Sequence, residues 1–287
     1  MNAPDLLRAP AAGAIGTLLV ERGVLQPEAI ARVIERQRSS GQPFGEAAIG
    51  LGLIKRADLD AVLGVQFGYG HLGAAEAPLA RELVAVLKPT SRVAEELRAL
   101  RSQLLLRWFS GDVRQRVLAV TSARARDGRS FVAANLAVVF AQQGQRTLLI
   151  DADLRHPALG RLFHMPHSAG LAGVLSGRVG YEVIEPVGGL PGLHVLPAGA
   201  APPNPQELIG RRAFGELLDH AVQSYDVVLI DTPAAETCAD ALLIAARAGA
   251  AMLVARRHRS RLRSVGELAR QLRDAGAAVV GSMMNQP

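Results

Sequence analysis

The chain has 287 residues, 49% of them hydrophobic and 20% charged, which suits about two domains able to bury proper cores. A single cysteine, Cys238, excludes an internal disulfide and a cysteine-cluster metal site, and no apolar run approaches the roughly 18 residues needed to cross a bilayer. The formal net charge is +6, and because residues 1–68 balance seven basic against seven acidic side chains, the whole excess falls in residues 69–287.

In chain order, Met1 to Ala14 lacks a signal-peptide layout, so a cytoplasmic protein, at most peripheral at the inner membrane, is expected. An internal repeat follows. Gly16-Thr-Leu-Leu-Val-Glu-Arg-Gly23-Val-Leu25 returns as Gly45-Glu-Ala-Ala-Ile-Gly-Leu-Gly52-Leu-Ile54, and Ile30, Ile34 and Gln37 return as Leu59, Leu63 and Gln66, every pair 29 residues apart. Two units are too few for a solenoid, so residues 1–68 are expected to form one small all-helical domain with pseudo-twofold character. Leu25, Ile30 and Ile34 are spaced to face its core, and the glycines permit tight turns between short helices. Residues 69–90 are expected to be a linker, with a short helix over Leu79 to Leu87. Beyond it, Glu95, Arg98 and Arg101 lie three apart on one helical face, the pattern of a solvated face or of a contact surface.

Residues 91–287 read as a second, α/β domain. The apolar run Val117 to Val120 predicts a buried strand, and Phe131 to Gln143 predicts a helix with apolar residues on one face. Between them, Ala123-Arg-Ala-Arg-Asp127-Gly128-Arg129-Ser130 has the layout of a phosphate-binding Walker A loop, with Arg129 where lysine normally stands. Backbone N–H groups and the helix start favour an anion there, Ser130 offers a hydroxyl to Mg²⁺, and Arg129 supplies the cation. Arginine is planar, forked and bulkier than an ammonium group, so the exchange is not neutral at a tight site. Two further strands, Thr147 to Ile150 and Val227 to Ile230, run into Asp151-Ala-Asp153-Leu-Arg155 and Asp231-Thr-Pro233. In open α/β sheets ligands gather at the carboxyl ends of parallel strands, so these carboxylates are expected to meet the loop at one edge. There they can hold Mg²⁺, and one can accept a proton from an attacking hydroxyl. The basic cluster Arg256-Arg-His-Arg-Ser-Arg-Leu-Arg263 reads as a solvated loop and helix start able to attract anions.

With these motifs in this order, residues from about Ser91 to Asn285 resemble the bacterial tyrosine kinase family of exopolysaccharide export, and most of all its EpsG-type branch. The resemblance implies a doubly wound, mostly parallel sheet of the P-loop, ParA/MinD-like kind. It implies ATP and Mg²⁺ as cofactors, with Ala123, Asp127, Gly128, Arg129, Ser130 and Phe131 around the nucleotide. Arg129 would grip the phosphates, Ser130, Asp153 and Asp231 would place the metal, and Asp151 would activate a tyrosine hydroxyl. It also implies a membrane activator of the chain-length-determinant type and homo-oligomers formed through Glu95, Arg98 and Arg101. No nucleic-acid partner is expected. Family kinases carry a tyrosine-rich tail. Here the sequence closes on Met283-Met-Asn-Gln-Pro287, with Tyr69, Tyr181 and Tyr225 as its three isolated tyrosines, so an acceptor on another protein is expected.

The duplicated segment resembles the N-terminal domain of GspE/MshE-type secretion and pilus ATPases over roughly residues 12–68. Some of those proteins bind cyclic di-GMP through two such motifs. Ala14 and Pro43 stand where binding members carry arginine, which leaves a plain docking domain as the alternative. For the second domain two rivals to a kinase stand: a ParA/MinD-like ATPase, with Arg124 at the position of that family's signature lysine, and a catalytically weak nucleotide-sensing scaffold.

Overall fold

The computed structural model describes residues 15–56, 58–59, 62–63, 79–109, 111–165 and 169–286. Ala14, Gln66 and Tyr69 lie outside the described residues. The chain divides into two units, residues 1–71 and 72–287.

The first unit is helical, with Ile15–Glu21, Ala29–Ser40 and Phe44–Gly50 as its helices. Its core takes both members of three repeat-related pairs, Leu19 and Ala48, Leu25 and Ile54, Val33 and Val62, all six buried. The duplication extends to the backbone. Gly23 and Gly52 both have φ of +68°, and each donates its N–H over 2.8 Å to the residue three before it, Val20 or Ile49. One expectation is corrected: Ile34 is 37% exposed, and Val33 takes the inward position. On a 12-residue helix with a narrow buried stripe, a one-residue error in register moves a side chain by about 100°, from core to solvent.

In the second unit, neighbouring residues of each strand point to opposite faces, and both faces are apolar. Leu118, Val120, Leu149, Leu229 and Met252 belong to one core, while Ala119, Leu148, Ile150, Ile230 and Ala251 belong to the other. Strands buried on both sides suit a parallel sheet covered by helices. The sheet has seven strands in the order β3-β4-β2-β5-β1-β6-β7: β1 Val117–Thr121, β2 Thr147–Asp151, β3 Glu185–Pro186, β4 Leu193–Leu196, β5 Val227–Asp231, β6 Ala250–Arg256 and β7 Ala278–Asn285. Every pairing is parallel except the short β3 against β4.

On the first face lies helix Arg129–Gln142, buried continuously from Val132 to Ala141, with helix Arg92–Arg107 outside it. Phe140 is fully buried and meets Phe109 edge to face, ring centres 5.2 Å apart. On the other face lie Pro205–Gly210, Arg212–Ser224, Asp240–Ala248 and Leu262–Asp274. The described part of the expected linker is corrected too. Helix Val84–Leu87 belongs to this unit's core: Ala85 and Val86 are buried, and the Ala85 N–H donates to Asn135 Oδ1 over 2.9 Å. Apolar side chains and a buried amide partner make these residues part of the domain rather than a connector.

Candidate nucleotide-binding site

Strands β2, β5 and β1 are adjacent, and each ends in one of the three motifs. Asp231 is in register with Val120 on one side and Asp151 on the other, so the loop after β1 and both acidic motifs share one edge of the sheet.

The loop leaves β1 at Thr121 and enters the long helix at Arg129, with Gly128 as the residue before the first turn. Gly128 has φ of +99°, and a Cβ there would sit 2.0 Å from Asn285 Nδ2. Glycine is thus favoured by backbone conformation, while a Cβ would also displace the Asn285 amide from its place. The helix starts two residues before the expected Phe131. Arg126, also at positive φ (+64°), carries a side chain where glycine is favoured. Two distant groups hold this stretch: Arg256 Nη1 donates to the Arg126 carbonyl over 3.2 Å and Asn285 Nδ2 donates to the Asp127 carbonyl over 3.1 Å.

Arg129 is 8% exposed and folds inward. Its Nε donates to the Thr232 carbonyl over 2.8 Å, and its Nη1 donates to Ser122 Oγ over 2.6 Å and to the Arg124 carbonyl over 3.1 Å. Its Nη2 lies 3.8 Å from Asp153 Oδ2, an ion pair too long for a hydrogen bond. Arg124 pairs with Glu236 across 3.3 Å, while the other oxygen of Glu236 accepts the Ala125 N–H over 2.8 Å.

Three buried carboxylates complete the site. Asp151 Oδ2 accepts the N–H groups of Ala158 and Leu159 over 3.0 and 2.9 Å, and Oδ1 accepts the Asp153 N–H over 3.3 Å. Burial pushes its carboxyl well above the usual range and the neighbouring Asp231 adds to this, against the pull of the two N–H bonds. A carboxyl so placed anchors the turn into helix Leu159–Leu162 through Oδ2, while Oδ1 holds only the long Asp153 bond. Asp153 Oδ1 accepts from the His156 N–H over 2.9 Å, and Oδ2 faces Arg129. Asp231 is fully buried and neither oxygen has a hydrogen-bond partner of good geometry. Burial pushes it up to about 7, held back by the Arg129 guanidinium and the Ser130 hydroxyl.

A buried carboxylate with both oxygens unpaired, next to a half-buried serine at a helix start, fits a divalent cation. Mg²⁺ is an ion usually held by one or two carboxylates plus substrate phosphates.

Ala123 and Asp127 are buried in the loop, and Phe131 packs against the first core. Glu236, Arg256 and Asn285 are additions that the sequence does not announce. Their contacts with the loop span 111, 130 and 158 residues, and no local pattern marks them. On helix Arg92–Arg107, Glu95 is exposed, whereas Arg98 bonds Glu95 and the Pro89 carbonyl and Arg101 bonds the Val139 carbonyl.

Residues 115–262 match the family model described as cellulose biosynthesis protein BcsQ. Tyrosine-protein kinase YwqD of Bacillus subtilis is 34% identical over 205 residues, covering 71% of this chain and 86% of that protein. The chain belongs to the bacterial tyrosine-kinase family. Tyrosine-protein kinase etk of Escherichia coli is 33% identical over 202 residues, a match that covers 28% of that longer protein. The solved kinase domain of E. coli ETK superposes with a TM-score of 0.68 at 34% identity, over 71% of this chain and 79% of that domain. The septum site-determining protein MinD of Pyrococcus horikoshii, solved with Mg-ADP, superposes with a TM-score of 0.52 at 26% identity, over 59% of this chain and 70% of that one. The expected P-loop, MinD-like sheet is thereby shown. No helix among the described residues is long and apolar enough to cross a membrane.

Proposed function

We propose that this chain is an ATP- and Mg²⁺-dependent protein tyrosine kinase that regulates exopolysaccharide synthesis or export beside a membrane chain-length-determinant partner. The observation that carries the reading is the unpaired Asp231 carboxylate, buried between the phosphate loop and the Asp151-Ala-Asp153 turn. ATP, when bound, supplies the phosphoryl group. The loop's N–H groups and the start of helix Arg129–Gln142 favour its phosphates, and the Arg129 guanidinium adds positive charge. Ser130, Asp153 and Asp231 are the groups to hold Mg²⁺. Asp151, pushed well above the usual carboxylate range and with Oδ1 holding only a long N–H bond, is the carboxylate to take the hydroxyl proton. These are positioning and electrostatic tasks, which phosphoryl transfer chiefly demands.

Glu95, exposed on its helix, with Arg98 and Arg101 remains the candidate surface for assembly between copies. For the helical unit we propose a docking or sensing role, with cyclic di-GMP as the ligand to titrate.

The test is to incubate the chain with γ-labelled ATP, magnesium and a glutamate–tyrosine polymer, with and without the membrane partner, and to probe for phosphotyrosine. Label on tyrosine, lost in Asp231→Asn, supports the kinase. Free phosphate without phosphotyrosine would instead favour the MinD-like ATPase. Bound but unchanged ATP would favour the scaffold.

A further inference from the structure

Arginine at a position built for lysine invites the question of what a guanidinium does there that an ammonium cannot. A guanidinium has five N–H donors in a fixed fork, and a lysine ammonium has three on one rotating atom. In Arg129 the Nε and both Nη1 hydrogens are spent inside the protein, on the Thr232 carbonyl after β5 and on Ser122 and the Arg124 carbonyl in the loop after β1. The two Nη2 hydrogens make no hydrogen bond among the described residues, and Nη2 faces Asp153 at 3.8 Å. One end of the fork is therefore closed and the other open.

We propose that Arg129 is a two-ended clasp. Its Nε/Nη1 end fastens the phosphate loop to the turn after β5 in the nucleotide-free protein, while its Nη2 end stays available to a phosphate oxygen. The phosphate role rests on the kinase reading above, and the fastening role does not. A lysine ammonium that met the same three acceptors would have no N–H left, and one that turned to a phosphate would release the loop. Arg129 thus works as a fixed donor: the loop is ordered before nucleotide arrives, and binding does not require the cation to swing. Ordering a loop in advance removes part of the entropy cost of binding.

The test uses the full chain, its Arg129→Lys variant, its Ser122→Ala variant and the double variant. Without nucleotide, Arg129→Lys is expected to lower Tm by about 3–8 °C and to speed amide exchange at 122–126 and at Thr232 by about tenfold. Mg·ADP at one fixed concentration is expected to raise the Tm of Arg129→Lys less than that of the parent chain, because binding must now order the loop. Ser122→Ala, which removes one Nη1 acceptor, is expected to shift the same amides, and the double variant is expected to add little to Arg129→Lys alone. Exchange in nucleotide-free Arg129→Lys equal to that of the parent would overturn the clasp, as would additive effects in the double variant. Absence of nucleotide uptake by the parent chain would sink the kinase reading while leaving the nucleotide-free comparison intact.

Discussion

Arg126 is held at φ of +64° with a full side chain, a conformation that costs a non-glycine residue about 1 kcal/mol or more. Its carbonyl, not its guanidinium, is what the Arg256 contact uses. Arg126→Gly is therefore expected to stabilise the protein by about 0.5–1 kcal/mol in urea unfolding, the relief of strain exceeding the added freedom of the unfolded chain. Asp231 makes a pH prediction. Its folded-state carboxyl titrates at about 7, above its ordinary value, so the unfolded chain releases the proton first. The stability it contributes is full at acid pH and is lost as pH rises towards about 7. Nucleotide-free protein should accordingly melt at lower temperature as pH goes from 5 to 8, and Asp231→Asn should flatten that slope. Magnesium should weaken the same dependence, since the ionised form is the one that holds a cation.

At the scale of elements, Gly128 joins β1 to its helix at positive φ, and Gly128→Ala is expected to weaken nucleotide uptake by calorimetry while β1 and the helix still form. The elements themselves are legible in the chain. Val117–Val120, Thr147–Ile150 and Val227–Ile230 are uninterrupted apolar runs ending in polar motifs, and a run buried on both faces is written locally. Three strand-end motifs of one nucleotide site belong at one sheet edge, so the meeting of three carboxylates with the loop follows from residue order alone. What residue order does not carry is how each group spends its hydrogen bonds. The Arg129 to Thr232 bond spans 103 residues, and two backbone N–H groups seven and eight residues on occupy Asp151. Hydrogen-bond partners across such separations are set by packing, to which periodicity is blind. The same limit explains Ile34, where the repeat is plain but the inward face lies one residue earlier than the spacing suggests.

At the scale of the molecule, two separate cores predict two separable losses. Leu19 is fully buried in the helical unit, and Phe140 is fully buried beside the sheet. Leu19→Ala and Phe140→Ala should cost about 2–5 and 3–5 kcal/mol respectively, each in its own unit. Calorimetry should show each substitution shifting a different part of the melting profile, and only Phe140→Ala should reduce nucleotide-dependent stabilisation. The matching turns at Gly23 and Gly52 carry a consequence of another kind. With equal φ and the same closing bond 29 residues apart, the two corners are built alike in the backbone. Exchanging the two corners therefore asks whether the duplication reaches past the backbone, with the melting temperature of the helical unit as the answer.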